Sequence, residues 1–295
     1  MKPKVKHAPD RAGANDAAAA QAPVPGSDIR PGQSLALLKA LHILTRDGKL
    51  NQDSRRKLKQ VHHLVNFIAP LIDACLAERG DVQLVDHGAG KSYLGFILYD
   101  LCLKAGSAGT IHGIETRDDL VARSRELADQ LGFERMAFHK LSVEASIGAP
   151  ALPAEIDIVT ALHACDTATD DAIRFALAKR ARHVVLVPCC QAEVAAALRA
   201  YKNESFGKTP LSELWRHPIH TREMGSQITN VLRCLLLEAH GYQVSVTELV
   251  GWEHSLKNEL IVARATGNPR GNARERALQI LSALNLESLR ERFVY

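Results

Sequence analysis

Four stretches of this 295-residue chain hold side chains whose types and spacing could do chemistry together. The first is Val82-Gln83-Leu84-Val85-Asp86-His87-Gly88-Ala89-Gly90-Lys91-Ser92, an apolar run that ends in an acid and a glycine turn. A phosphate-cradling Walker A loop requires a glycine where Val85 stands, and a dinucleotide fingerprint requires one where Tyr93 stands. What remains is Asp-x-Gly-x-Gly, in which the glycines let backbone come close to a ligand and Asp86 orients one of its polar groups. A glycine-rich turn with no ligand is the plain alternative. The second stretch, Ile111-His112-Gly113-Ile114-Glu115, ends in another acid 25 residues after Gly90, where nucleotide-binding sheets set a carboxylate against sugar hydroxyls. The third pairs Leu162-His163-Ala164-Cys165-Asp166-Thr167-Ala168-Thr169-Asp170 with Val187-Pro188-Cys189-Cys190-Gln191, and the fourth is Glu253-His254-Ser255-Leu256-Lys257-Asn258.

The elements that must position these groups alternate. Short apolar runs at Val82–Val85, Thr110–Ile114, Met136–Leu141, Ile156–Leu162 and His183–Val187 read as strands. Helical stretches fall between them at Lys91–Lys104, Asp118–Gln130 and Thr167–Ala178, with Gln191–Tyr201 following. This alternation implies an α/β fold with a parallel, doubly wound sheet. A long amphipathic helix with apolar positions from Leu58 to Leu76 leads in and ends near Gly80. A further helix, Arg222–His240, stops at Gly241, and two strands at Tyr242–Val250 and Glu259–Ala265 form an antiparallel pair at one edge. Ligands of such sheets sit beyond the carboxyl ends of the strands, so the ends of the fourth and fifth strands should face the reacting part of the ligand. Residues around Leu141-Ser142-Val143 should then border a bound base, Ser142 offering a hydrogen bond and Val143 an apolar wall.

The Asp-x-Gly-x-Gly run resembles the first motif of class I S-adenosylmethionine (SAM) methyltransferases. With its sixth and seventh strands the layout also resembles their seven-stranded Rossmann-like sheet, over about Leu58 to Thr266. That resemblance implies SAM as cofactor, with Asp86, Gly88, Gly90, Glu115, Ser142 and Val143 around it. The His-Ala-Cys-x-x-Ala-Thr-Asp run followed by Pro-Cys-Cys resembles a methyltransferase family that includes the glutathione S-transferase C-terminal-domain-containing protein, and more loosely the acceptor-stem tRNA 2′-O-methyltransferases. The pattern usually has Gly where this chain has Asp166. The tRNA enzymes' cysteine-histidine zinc cluster is absent from this sequence. Lys257 and Asn258 match the family's Thr-Pro-Lys-Asn segment, while Ser255 and Leu256 replace Thr-Pro; this assigns Lys257 and Asn258 to the methyl acceptor.

Several roles stay open for the remaining groups. His163 suits a general base that takes a proton from the acceptor, or it hydrogen-bonds its own loop. Asp166 either orients the acceptor or His163, or caps the helix that follows; Asp170 is expected to cap. Cys165, Cys189 and Cys190 admit a thiolate nucleophile toward a pyrimidine ring, zinc ligation with His163, or plain packing. Their spacing is not that of a Cys-x-x-Cys knuckle, and no metal is assigned. The catalytic candidates are therefore His163, Cys165, Asp166 and Cys190. Cys75, Cys102 and Cys234 lie in helical stretches and read as core.

Composition bounds the rest. Six cysteines, two of them adjacent, exclude a disulfide framework and point to a reducing, cytoplasmic compartment. No apolar run reaches the ~18 residues of a membrane span, and none follows Met1 as a signal peptide would require. Residues 1–33 are rich in proline and alanine and read as a tail. Residues 34–80 form a helical extension, 81–267 the methyltransferase domain, and 268–295 a short helix with a frayed end. Arg46–Gln60 carries six basic residues against two acidic ones. Such a patch could grip phosphates, although taken alone it reads better as a solvated helix start; the family resemblance together with this patch makes RNA the preferred acceptor. A protein or small-molecule acceptor, or a non-catalytic module that binds SAM or metal, are the other readings.

Overall fold

The computed structural model describes residues 28–106, 108–162, 164, 166–188, 191–200, 210–249 and 259–295. Five parallel strands, β1 (Gln83–His87), β2 (Thr110–Glu115), β3 (Met136–Lys140), β4 (Ile158–Leu162) and β5 (His183–Val187), carry the expected apolar runs. β6 (Tyr242–Glu248) and β7 (Glu259–Ala265) complete a seven-stranded sheet of order β3-β2-β1-β4-β5-β7-β6, in which β7 runs antiparallel to both neighbours. The chain builds outward from β1 to β3 and then returns to β4, so the order reverses between β1 and β4. That reversal opens a crevice at the carboxyl ends of these two strands.

Alternation along each strand divides the core between two faces. Leu84, Ile111 and Ile158 meet α1 (Leu35–Ala40), α2 (Gln52–Arg79), α3 (Tyr93–Leu98) and α4 (Asp118–Leu131) on one side. Val85, Ile114 and Val159 meet α6 (Thr167–Ala178) and α8 (Pro218–Ala239) on the other, with the short α5 (Val143–Ile147) at its margin. α2 begins six residues before the apolar stripe, because Asn51 caps it through a 2.7 Å bond from Ser54 N–H. It ends at Gly80, whose left-handed φ of 71° closes the last turn on Leu76. Helix α3 passes into a π-helical turn, Tyr99–Leu103, so the single expected helix over 91–104 is shorter and irregular.

Two terminal expectations need correction. Among the described residues, contacts are already made at 28–33, within the span expected as a tail. Asp28 pairs with Arg55 at 2.9 Å, and Arg30 donates to His62 O and to Asn66 Oδ1 at 2.8 and 2.6 Å. His62 is buried against Gln33, and burial chiefly lowers its pKa to about 4. At the other end the chain does not fray. After α9 (Ala273–Ala283) and a 3-10 turn, α10 (Arg290–Phe293) buries Phe293 and Val294 in a third cluster with Ile228, Leu232 and Leu235 of α8 and Val194 of α7 (Glu193–Ala200). Leu286 and Leu289 fill the same cluster, and that apolar area outweighs the entropy of ordering a short terminus. No helix of the described chain is long and apolar enough to cross a membrane.

Candidate active site

The glycine turn leaves β1 with Gly88 at φ +66° and Gly90 at φ +57°, values that a β-carbon disfavours. Ala89 N–H donates to Ile114 O at 2.9 Å, which fixes the turn beside the end of β2. Gly90 N–H donates to Glu115 Oε2 at 2.9 Å. The two expected acids thus flank one loop. Burial pushes the Glu115 carboxyl up, but hydrogen bonds and charge from Arg117, with the bond from Gly90, outweigh it and hold the group at about 2. Arg117 clasps both carboxylate oxygens through Nε and Nη2 at 3.2 Å each, and its Nη2 stands 3.8 Å from a β-carbon built on Gly90.

Asp86 lies on the opposite strand edge, paired in register with Thr160 of β4. Burial raises its pKa to about 7, although Thr160 Oγ1 donates to Asp86 Oδ1 at 2.8 Å. A cationic group entering the crevice would favour the ionised form and draw the proton off. His87, next in sequence, faces α6 with its ring 5.5 Å from Phe175. Among the described residues neither ring nitrogen has a partner, and burial holds its pKa at about 4, so it is neutral. Glu115 pairs in register with Lys140, which brings Ser142 and Val143 to the same sheet edge. The Ser142 hydroxyl is occupied in capping α5, accepting from Ala145 N–H at 3.3 Å, while Val143 is half-buried.

On the acceptor side, His163, Cys165, Cys189, Cys190, Lys257 and Asn258 lie outside the described residues. Asp166 is described and does not cap α6. It adopts φ 51°, ψ −120°, a conformation natural to the glycine expected at this position, and its Oδ1 accepts from Ala192 N–H at 3.0 Å. The segment after β4 is thereby tied to the segment after β5. Asp170 does not cap either. It receives Nε and Nη2 of Arg233 at 2.6 and 3.0 Å, and Arg233, 1% exposed, also donates to Asp166 O at 2.9 Å. A guanidinium so deeply buried requires a fixed anion, and that need captures Asp170. Arg233 Nη1 and Gln191 Nε2 both reach Asn230 Oδ1 at 3.1 Å, Ser226 Oγ donates to Gln191 Oε1 at 2.8 Å, and Asn230 Nδ2 donates to Glu259 Oε2 at 2.6 Å. The sequence signal for this network is a lone charge inside the apolar run Leu232-Arg233-Cys234-Leu235-Leu236-Leu237.

Gln191, Ser226, Asn230 and Glu259 form one wall of a cleft of about 730 Å³, completed by Pro188, Ala192, Arg199, Arg222 and Glu248. It opens at the carboxyl end of β5. A β-carbon on Gly88 would stand 3.6 Å from Ala164 Cβ, so the glycine turn lies close to the segment after β4, which Asp166 in turn ties to Ala192 in the cleft lining. Of the basic stretch, Arg55 and Arg56 are spent on Asp28 and Asp53, and Lys57 lies 5.8 Å above the Tyr93 ring. Cys75 is buried, and burial chiefly raises the Cys102 and Cys234 thiols to about 11 and about 12, consistent with packing roles.

Residues 56–197 match a family model described as a methyltransferase domain. This segment is a methyltransferase domain. The sheet order, with its antiparallel β7, makes it one of class I, and SAM is the methyl donor of that class. The domain is similar to the bovine glutathione S-transferase C-terminal domain-containing protein, 26% identical over 242 residues, covering 74% of this chain and 34% of that protein. The homolog of Drosophila melanogaster is 26% identical over 237 residues, 71% of this chain and 36% of that protein. The chain thus spans about a third of the length of these relatives, and the expected resemblance to their family is borne out. Solved structures similar in fold include an rRNA methylase from Streptococcus thermophilus (TM-score 0.42, 9% identity, 70% of this chain and 96% of that one). Magnesium protoporphyrin IX methyltransferase from Synechocystis is another (TM-score 0.44, 13% identity, 78% and 94%).

The residues present fit SAM. Two left-handed glycines expose the backbone, Asp86 can take a cationic amino group, and Glu115 can take ribose hydroxyls once Arg117 shares it.

Proposed function

We propose that this chain methylates RNA, with SAM held by Asp86, Gly88, Gly90 and Glu115, and with Ser142 and Val143 beside the adenine. The observation that carries this reading is the Asp166–Ala192 hydrogen bond, which ties the segment after β4, close to the glycine turn at Ala164, to the lining of a cleft of about 730 Å³. Pockets of some 300–1,000 Å³ take small ligands, so the cleft has room for an extruded nucleotide. SAM supplies a methyl group on a sulfonium cation, ready for in-line displacement.

The chain's own work is positioning and proton handling. Asp86 orients the ligand's amino group, and its carboxyl is ionised more readily as that cation approaches. Asp166 and Arg233 keep the segments after β4 and β5 in one arrangement, so that the acceptor atom and the cofactor keep a fixed relation. His163 takes the acceptor's proton, Cys165 and Cys190 border the reacting atoms, and Lys257 and Asn258 hold the acceptor. We assign the activity to the cytoplasm, which the free thiols of Cys75, Cys102 and Cys234 support.

A second reading has its own support, since Glu248 and Glu259 on the cleft wall suit a cationic acceptor such as a protein side chain. Labelled methyl transfer from SAM into a lysate of cells lacking the protein separates the two. Label lost only to ribonuclease upholds RNA; label lost only to protease overturns it in favour of the second reading.

A further inference from the structure

Of the described cations without an ion pair, only Arg46 belongs both to the basic stretch of the sequence and to a pair of surface hollows, where it meets cations from elsewhere in the chain. Lys39 in the last turn of α1, His42 just beyond it and Arg46 are exposed, as are Lys91 after Gly90 and Arg123 on α4. Among the described residues Lys39, Arg46, Lys91 and Arg123 make no ion pair. They nevertheless line adjoining hollows. One, of about 280 Å³, has His42, Lys91, Tyr93 and Arg123 at its rim over a floor of buried Phe96 and Leu120. The other, of about 460 Å³, is lined by Lys39, His42, Arg46 and Asn51. His42 belongs to both, so they form one groove that starts at the cofactor turn and runs past the end of α1.

The balance of charge is one-sided. Among the described residues Glu126 is the only carboxylate in either lining. Four long cations from three separate parts of the chain, held open and concave, match a polyanion whose charges are spaced along a strand. An anionic membrane would be met by a convex face with apolar side chains standing out, whereas here the apolar residues form the floor.

We propose that this groove docks the RNA phosphate backbone, leading the strand past Lys91 toward the cofactor turn. The proposal rests on the RNA reading of the acceptor, and it makes Lys39, Arg46 and Arg123 binding residues remote from the cleft. Because each phosphate contact releases counterions, each should add ~0.7 to the slope of log affinity against log salt for a single strand.

The test uses the full chain and a fluorescein-labelled single-stranded RNA of about 20 nucleotides, followed by anisotropy between about 50 and 200 mM salt. The variant Lys39→Glu/Arg46→Glu/Arg123→Glu should bind the RNA at least about tenfold more weakly at low salt, with a slope smaller by about 2. SAM binding by calorimetry should be unchanged in it, which also reports that it folds. The milder Lys39→Gln/Arg46→Gln/Arg123→Gln variant should lie between. Equal RNA binding by the wild type and both variants would overturn the groove, as would wild-type binding to phosphatidylserine-containing vesicles without binding to RNA. A variant that loses RNA binding while labelled methyl enters only protein would uphold the groove and retire the RNA acceptor reading, so the two fail separately.

Discussion

Asp86 and Glu115 sit within one loop's width of each other, yet their environments drive their carboxyls in opposite directions. Glu115 is ionised throughout the physiological range, while Asp86, raised by burial to about 7, is divided between two forms. A proton on Asp86 removes the charge that would meet the amino group of SAM. SAM affinity should therefore climb as pH rises toward 7 and level off just above it, and Asp86→Asn should bind weakly with that climb abolished; calorimetry across this range reads both. The folded protein, for its part, holds this proton more tightly than the unfolded chain does. Asp86 thus favours folding below pH 4 and loses that contribution as pH rises from about 4 to about 7. Arg117 makes the complementary prediction. Both Glu115 oxygens are engaged by its guanidinium, so Arg117→Ala should free them and tighten SAM binding, whereas Glu115→Ala should weaken it about tenfold or more. Weaker binding by the Arg117 variant would make the arginine itself a cofactor contact. The acids were legible because an acid at a strand end is a positional signal. Arg117 was not, since nothing in a surface arginine's sequence context says that it folds back on its neighbour.

At the scale of elements, the buried Arg233 joins α8 to the start of α6 and, through Asp166, to the segment that leads into α7. Removing the guanidinium leaves Asp170 buried without a counter-charge. Arg233→Ala should cost about 3–5 kcal/mol of stability, and the double variant with Asp170→Ala should cost less than the two single losses added together. Denaturant unfolding of the four proteins measures this directly. Asp170 was misread for a physical reason: an acid in the first turn of a helix ordinarily serves that helix, and only the tertiary approach of α8 supplies a stronger partner. Asp166 likewise looked like a departure from glycine. Its side chain repays the strained φ of 51° with a bond to Ala192 that glycine could not make.

For the molecule as a whole, all seven strands were readable from apolar runs and alternation, because a buried parallel sheet imposes that pattern on the sequence. The closing segment was not. Leu286, Leu289, Phe293 and Val294 are spaced too irregularly to declare a helix, and their burial depends on a surface built by α7, α8 and α9. Phe293→Ala should lower stability by about 3–5 kcal/mol, seen as an earlier denaturant midpoint; a change near zero would mean that the terminus is only loosely applied to the fold. The basic groove was only partly visible, since Lys39 and Arg46 are distant in sequence from Lys91 and Arg123 and meet them only when α1 folds over α4.

The hairpin at the sheet edge carries a consequence for how such a chain can diverge. Glu248 and Glu259 face each other as the last paired residues of β6 and β7, and both line the cleft. Whatever spans 250–258 therefore leaves and re-enters the sheet at a single rung. With Lys257 and Asn258 proposed to hold the acceptor, grafting the 250–258 segment of a relative should redirect which molecule is methylated while SAM affinity by calorimetry stays as it was.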